Sequence, residues 1–246
     1  MQDNFTGQLK SLGLKSGDVI MMHSSMKALD TKRSPVELIN DIISVIGTEG
    51  TLLIPALTYD NVRADKPRFS VSSTEPCIGL IPRTFFKMEG VIRSKHPTHS
   101  VCAFGKYAAE MTGDHHLDET PAGPNSPFMK MPIYKGKLLF IGDVVHCCTL
   151  MHGIEEIVKA PYTLKKEPTH YIIEDGASVF EKDFYDHDFE GIKQEYQIIR
   201  DILQYPDIRN GKVGEADCFL IDTKALIEKA IEKFKDNIYY FVSFKT

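Results

Sequence analysis

The chain has 246 residues, 42% hydrophobic and 26% charged, with a formal net charge of -5 at pH 7, enough apolar material to bury a substantial core and too much for a disordered tail. The interspersed charges and mild acidic excess exclude the basic stripe that a phosphate backbone needs, so no nucleic-acid partner is expected. No apolar run is long enough to span a bilayer and "MQDNFTGQLKSLGLKSGD" lacks a signal-peptide pattern. Five cysteines (77, 102, 147, 148 and 218) without a C-x-x-C pair suit reduced thiols, so a cytoplasmic protein with no membrane partner is expected.

"FTGQLKSLGLKSGD" predicts an amphipathic helix closed by glycine, and "VIMMHSS" an apolar strand with a polar end. "SPVELINDIISVIG" has a serine cap, Pro35 in its first turn and apolar residues at helical spacing up to Gly47, and "GTLLIPAL" is a buried strand. This alternation predicts an α/β fold with a mainly parallel central sheet and flanking helices, whose ligands gather at the carboxyl ends of the strands. From Thr58 to Cys77 the chain is polar and irregular, at a length typical of binding loops. "GLIPRTFFKMEG" predicts a short helix, "VIRSKHPTHSVCAFG" a loop leading into a strand, and "KYAAEMTGDHH" another helix. After the turn-rich "PAGPNSPFMKM", the strand "KGKLLFIGDVV" reaches Gly142-Asp143 and "TLMHGIEEIVKA" is a helix stopped by Pro161. "THYIIED", "ASVFEKDFYDHDFEG" and "FLIDT" predict a smaller antiparallel C-terminal portion with acidic loops, and "TKALIEKAIEKF" a final helix. One domain over residues 1–246 is expected, with room for a small subdomain within 162–220, although "KVGEADCFLID" could instead add a strand to the first sheet.

Three clusters bear chemistry. In "TLMHGIEE", Thr149, His152 and Glu155 follow at steps of three, so they share a helix face while Leu150, Ile154 and Ile157 can face the core. A histidine with a carboxylate one turn away can be held in one tautomer and act as a general base near neutral pH, and Thr149 could donate to an oxyanion. The alternative is an exposed His–Glu pair worth a few tenths of a kcal/mol. In "RSKHPTHSV", Arg93, Ser94, His96, His99 and Ser100 surround Pro97, either facing a ligand or forming a hydrogen-bonded turn. In "MMHSSM", His23, Ser24 and Ser25 end an early strand, and Gly79 in "EPCIGLIPRTF" allows close backbone approach to a ligand. No P-loop or dinucleotide fingerprint is present, and no paired Cys/His pattern marks a structural zinc site.

In their order along the chain these segments resemble the aminoglycoside N3-acetyltransferase family, through "LGLKSGDVIMMHSSMKAL", "VIGTEGTLLIPALTYD", "GLIPRTF", "RSKHPTHSVCAFG", "GPNSPFMKM", "LLFIGD", "TLMHGIEE" and "KVGEADCFLID". The resemblance implies a fold unlike the GNAT acetyltransferases and an acetyl-CoA-dependent acetyl transfer to an amine. In the type case that amine is the 3-amino group of a 2-deoxystreptamine antibiotic, giving antibiotic resistance. On the family's T-x-x-H-x-x-E pattern it makes His152 the base, Glu155 its orienting carboxylate and Thr149 the oxyanion donor, with no metal and no acyl-enzyme. It places Ser24, Ser25, Thr58, Gly79 and Ser100 along the coenzyme A channel. The implied partners are a coenzyme A thioester and a cationic amine, and the chain is expected to be a monomer or homodimer.

Departures from the family pattern border the acceptor pocket: His146 and two cysteines in "DVVHCC", Glu156 in place of an aromatic, and a short "TYDNVRADKPRFSVSS" loop. Asp143, Asp186 and Asp188 are the expected acceptor-binding carboxylates, the last two in an acidic stretch that could equally be a solvated loop. Two other readings stand beside this one: a non-antibiotic metabolite amine as acceptor, and a Cys147- or Cys148-dependent acyltransferase or hydrolase using His146 or His152.

Overall fold

The computed structural model describes residues 4–29 and 33–245. In chain order the strands are β1 (Val19–Ser24), β2 (Thr51–Pro55), β3 (Arg68–Ser70), β4 (Ile92–Arg93), β5 (Val101–Gly105), β6 (Lys137–Ile141), β7 (Thr169–Asp175), β8 (Ser178–Phe184), β9 (Ile192–Gln194), β10 (Ile208–Val213), β11 (Ala216–Asp222) and β12 (Val242–Phe244). Seven form one sheet in the order β10-β11-β6-β1-β2-β5-β4. Strand β1 pairs in parallel with β2 and β6, and every other neighbour pair is antiparallel. Strands β10, β6, β1, β2 and β4 therefore point one way and β11 and β5 the other, the mainly parallel sheet expected, with antiparallel additions at both edges.

The central strands are apolar throughout because both faces are covered. Ile20 and Met22 of β1, Leu52 and Ile54 of β2, and Leu139 and Ile141 of β6 face α1 (Phe5–Leu12), α2 (Pro35–Ile46) and α3 (Leu80–Phe86). Their alternates Met21, Leu53, Leu138 and Phe140 face the opposite layer, built from α4 (Ala108–Thr112), α5 (Pro127–Lys130), α6 (Leu150–Ile157), α7 (Ile199–Ile202) and α8 (Thr223–Asp236). The caps follow the sequence reading: Ser34 and Glu37 make a capping box ahead of Pro35, and Gly13 closes α1 at φ 121°.

The "KVGEADCFLID" segment joins the main sheet. Leu220 and Ile221 of β11 fall in opposite cores, which only an interior place beside β6 satisfies. The smaller sheet is β3-β7-β8, with β7 and β8 an antiparallel hairpin, while β9 pairs with β12. The 58–77 connection is more ordered than its composition predicts, because β3 runs parallel to β7. Its far end is fixed by Arg93, whose guanidinium donates to Thr74 O and Ala56 O (2.9 Å) and lies 4.8 Å from the rings of both Phe69 and Phe86. Among the described residues no helix is long and apolar enough to cross a membrane.

Candidate active site

A cleft of about 600 Å³ opens where β1 and β6 end, the position open α/β sheets use for ligands. Its lining includes His23 and Ser24 from β1, Cys147 and Thr149 just ahead of α6, His152 on α6, and Tyr171, Asp186, His187 and Tyr196 from later segments.

Thr149 caps α6 and the helix places His152 and Glu155 on one face. Leu150 and Ile154 are buried as expected, whereas Ile157 is 51% exposed, because it lies at the last helical position, past the edge of the core. Glu155 is fully buried, which removes the exposed-pair alternative. Tyr196 Oη donates to Glu155 Oε2 (2.8 Å) and Tyr162 Oη to Glu155 Oε1 (3.4 Å). His152 Nδ1 lies 3.0 Å from Tyr196 Oη and 3.4 Å from Glu155 Oε2. A phenol that has given its proton to a carboxylate can only accept, so the hydrogen belongs on Nδ1 and the Nε2 lone pair is left free. Burial and the Glu155 charge push the Tyr196 phenol well above its ordinary value, keeping it a donor. Gly153 is required between these residues: a Cβ there would lie 2.3 Å from Met129 Sδ and 3.0 Å from Ala122 O.

Thr149 Oγ1 is 3.2 Å from His23 Nε2, and that imidazole stacks on Phe140 at 5.0 Å. Burial first, and the His152 charge second, pull His23 down to about 3, so it is neutral. The Thr149 N–H donates to His23 Nε2 at 3.4 Å, which makes that nitrogen an acceptor and leaves the Thr149 hydroxyl to donate to it or to Cys147 O at 3.4 Å.

Two further imidazoles reach the cleft. His187 Nδ1 sits 3.2 Å from His99 Nε2, His187 Nε2 is 3.3 Å from Glu156 Oε1, and His99 Nδ1 is 2.9 Å from Thr98 Oγ1. Burial holds both rings well below their ordinary value, with neighbouring imidazole charge adding to it. Glu156 also accepts from Thr120 Oγ1 (2.6 Å) and Ala122 N (2.9 Å). Burial raises its carboxyl.

The structure divides the expected binding residues. Ser24 and Gly79 line the cleft, with Gly79 at φ 59° ahead of α3. Thr58 and Ser100 do not: both are fully buried, Thr58 donating to Pro97 O and Ser100 to Ala56 O (2.9 Å) while Ser100 accepts from Arg93 Nε (2.8 Å). Their hydroxyls are spent on the loop that carries them. Ser25 lies past the end of β1 and outside the lining, its N–H donating to Ile141 O (2.9 Å). Of the three aspartates only Asp186 lines the cleft, and it accepts from Tyr171 Oη (2.8 Å) and Thr169 Oγ1 (2.7 Å) with Lys165 Nζ at 3.6 Å. Asp143 pairs with Arg200 (3.0 Å) in a separate, smaller cavity, and Asp188 is exposed outside the lining. Most of "RSKHPTHSV" is scaffold. Ser94 Oγ bonds His115 Nδ1 (2.8 Å), and His96 Nδ1 accepts from the His99 N–H (3.1 Å). Burial raises both candidate thiols, Cys148 to about 12, and among the described residues neither is hydrogen-bonded to an imidazole. The phenols of Tyr196 and Tyr162 were not singled out from the sequence, where nothing local marks them.

Fold and cleft together define an α/β enzyme with a histidine held by a buried carboxylate at a strand-to-helix junction. The chain matches the aminoglycoside 3-N-acetyltransferase family over residues 21–235 and belongs to that family of acetyltransferases, as its motifs led us to expect. Aminoglycoside N(3)-acetyltransferase IX of Micromonospora chalcea is 29% identical over 255 residues, covering 91% of this chain and 89% of that protein. The crystal structure of aminoglycoside acetyltransferase AAC(3)-Xa matches with a TM-score of 0.83 at 25% identity, covering 95% of this chain and 92% of that one. The binary complex of AAC-IIIb with CoASH matches with a TM-score of 0.83 at 24% identity, covering 94% and 95%.

Proposed function

We propose that this protein, acting as a single domain, transfers the acetyl group of acetyl-CoA to a primary amine with His152 as general base. The observation that carries this reading is the anchored imidazole: Nδ1 faces Glu155 and Tyr196, and the ring lines the cleft. Coenzyme A is supported by AAC-IIIb, which shares the fold and was solved with CoASH. An amine is mostly protonated at neutral pH, the lysine reference value being about 10.4, so it must lose a proton before its lone pair attacks the thioester carbonyl. The ammonium gives its first proton to solvent, His152 Nε2 takes a second from the nitrogen as it attacks the carbonyl, the C–S bond breaks as the tetrahedral intermediate collapses, and the imidazolium returns its proton to the departing thiolate. The Thr149 hydroxyl, which lines the cleft, turns from His23 Nε2 or Cys147 O to donate to the oxyanion. Ser24 and Gly79 are the coenzyme A contacts that line the cleft.

For the acceptor, the family substrate, the 3-amino group of a 2-deoxystreptamine aminoglycoside, is the first reading. One observation favours a metabolite amine with fewer positive charges: Asp186 already serves Tyr171, Thr169 and Lys165. The raised thiols disfavour a cysteine nucleophile, since the thiolate is the reactive form. A thiol-release assay with acetyl-CoA against aminoglycosides and simpler amines tests all of this. Wild type is expected to turn over at least one amine and His152→Ala to lose at least about a hundredfold. Undiminished turnover by the variant would remove His152 from the role.

A further inference from the structure

Three imidazoles from distant segments converge at the cleft. His99 precedes β5, His152 lies on α6 and His187 follows β8, and one ring nitrogen from each lies within 4.8 Å of the other two. One pair, His187 Nδ1 and His99 Nε2, is 3.2 Å apart. Metal–nitrogen bonds of about 2.0–2.1 Å in a tetrahedral zinc site place ligating nitrogens roughly 3.4 Å apart, so this pair already has the spacing of two ligands. A nitrogen of each ring is also anchored. Thr98 Oγ1 holds His99 Nδ1 at 2.9 Å, Tyr196 Oη holds His152 Nδ1 at 3.0 Å, and Glu156 Oε1 lies 3.3 Å from His187 Nε2. Metal-ligating histidines are supported in this way, with the non-ligating N–H given to an oxygen that fixes tautomer and ring plane.

We infer that His99, His152 and His187 form a binding site for one divalent transition-metal ion of the kind that prefers imidazole, with Zn²⁺ as the probe, and that the bound ion shuts off acetyl transfer. Zinc, copper and nickel suit imidazole donors, whereas magnesium and calcium prefer oxygen. The acetyl transfer proposed above needs no metal. An ion held by His152 would take that imidazole out of proton transfer with the amine, so metal and reaction compete for one ring. The inhibitory half of the inference rests on the reading of His152 as base, and the binding half does not.

The test uses the full chain, stripped with EDTA and titrated calorimetrically with Zn²⁺, alongside Co²⁺ absorption spectra of the same samples. One ion per chain is expected, with a tetrahedral Co²⁺ spectrum. Affinity should fall by at least about a hundredfold in His99→Ala and His187→Ala, and by about 10- to 100-fold in Glu156→Gln, which keeps the ligands and weakens one anchor. His170→Ala, on the surface, serves as the control and should bind as wild type does. Circular dichroism melts confirm that each variant is folded, and His187→Gln replaces His187→Ala if the latter is not. No stoichiometric binding by wild type, or equal affinity in folded His99 and His187 variants, would overturn the site. Thiol release measured with and without Zn²⁺ separates the two readings. If Zn²⁺ binds while metal-free His152→Ala remains fully active, the site stands and the base assignment fails. If Zn²⁺ does not bind while His152→Ala is inactive, the site fails and the base assignment stands.

Discussion

Replacing Tyr196 by phenylalanine removes one oxygen and almost no volume, so it isolates what the phenol does. The hydroxyl donates to Glu155 Oε2 at 2.8 Å and stands 3.0 Å from His152 Nδ1. A hydrogen bond to a charged group contributes about 1.5–3 kcal/mol. The other contacts to that carboxylate, from Tyr162 Oη and His152 Nδ1, are both 3.4 Å and poorly placed to compensate. The fully buried Glu155 is left short of a donor and the imidazole loses one of its two acceptors. At about 1.4 kcal/mol per factor of ten, kcat is expected to fall roughly 10- to 100-fold, with stability reduced by a similar free energy. The KM for acetyl-CoA should stay constant, because the hydroxyl is turned toward α6. Steady-state thiol release gives kcat and KM, urea unfolding gives the stability change, and a double-mutant cycle with Glu155→Gln tests whether Tyr196 acts through that carboxylate. An unchanged kcat, or losses that add within about 0.5 kcal/mol, would refute the coupling.

The buried imidazoles make stability depend on acid. Burial lowers His23 and His115 to about 3, against about 6.5 for an unfolded histidine. Between those values the unfolded chain binds more protons, so stability is complete above pH 6.5 and declines as pH falls toward 3, by up to about 1.4 kcal/mol per pH unit for each group. Urea midpoints taken in steps from about pH 7 to about pH 4 should fall accordingly; a flat series would contradict the assignment. Gly153→Ala should cost about 1–3 kcal/mol by overpacking, since the Met129 side chain can move but the Ala122 carbonyl, 3.0 Å from the new Cβ, cannot. A drop in kcat together with the urea midpoint is expected there, and wild-type values for both would show that α6 has room to spare.

Local chemistry was legible in the sequence and long-range company was not. Ser34, Pro35 and Gly47 announce the ends of α2 because caps are decided within a few residues. The shared face of Thr149, His152 and Glu155 follows from helical spacing alone. Tyr196 reaches His152 across 44 positions of chain, a contact with no local period to betray it. Ser100 illustrates the opposite error: a hydroxyl in a loop suited to ligand contact is instead consumed by Arg93 and Ala56, partners that only the folded chain supplies. The place of strand β11 stays open in the sequence, between the smaller portion and the first sheet, because its residues do not say which neighbour will cover their second apolar face.

The two consecutive carboxylates of α6 look in different directions: Glu155 toward His152, Glu156 toward His187 on the loop after β8. One helical turn thereby fastens the proposed base and the cleft wall that carries Asp186 and Phe189 into a single body. Selection for a new substrate through that loop would disturb the chemistry along with the fit. The part of the lining that carries Ile78 and Gly79 has no such tether to His152 among the described contacts. It is the part of the cleft where the enzyme is freer to diversify without losing its reaction.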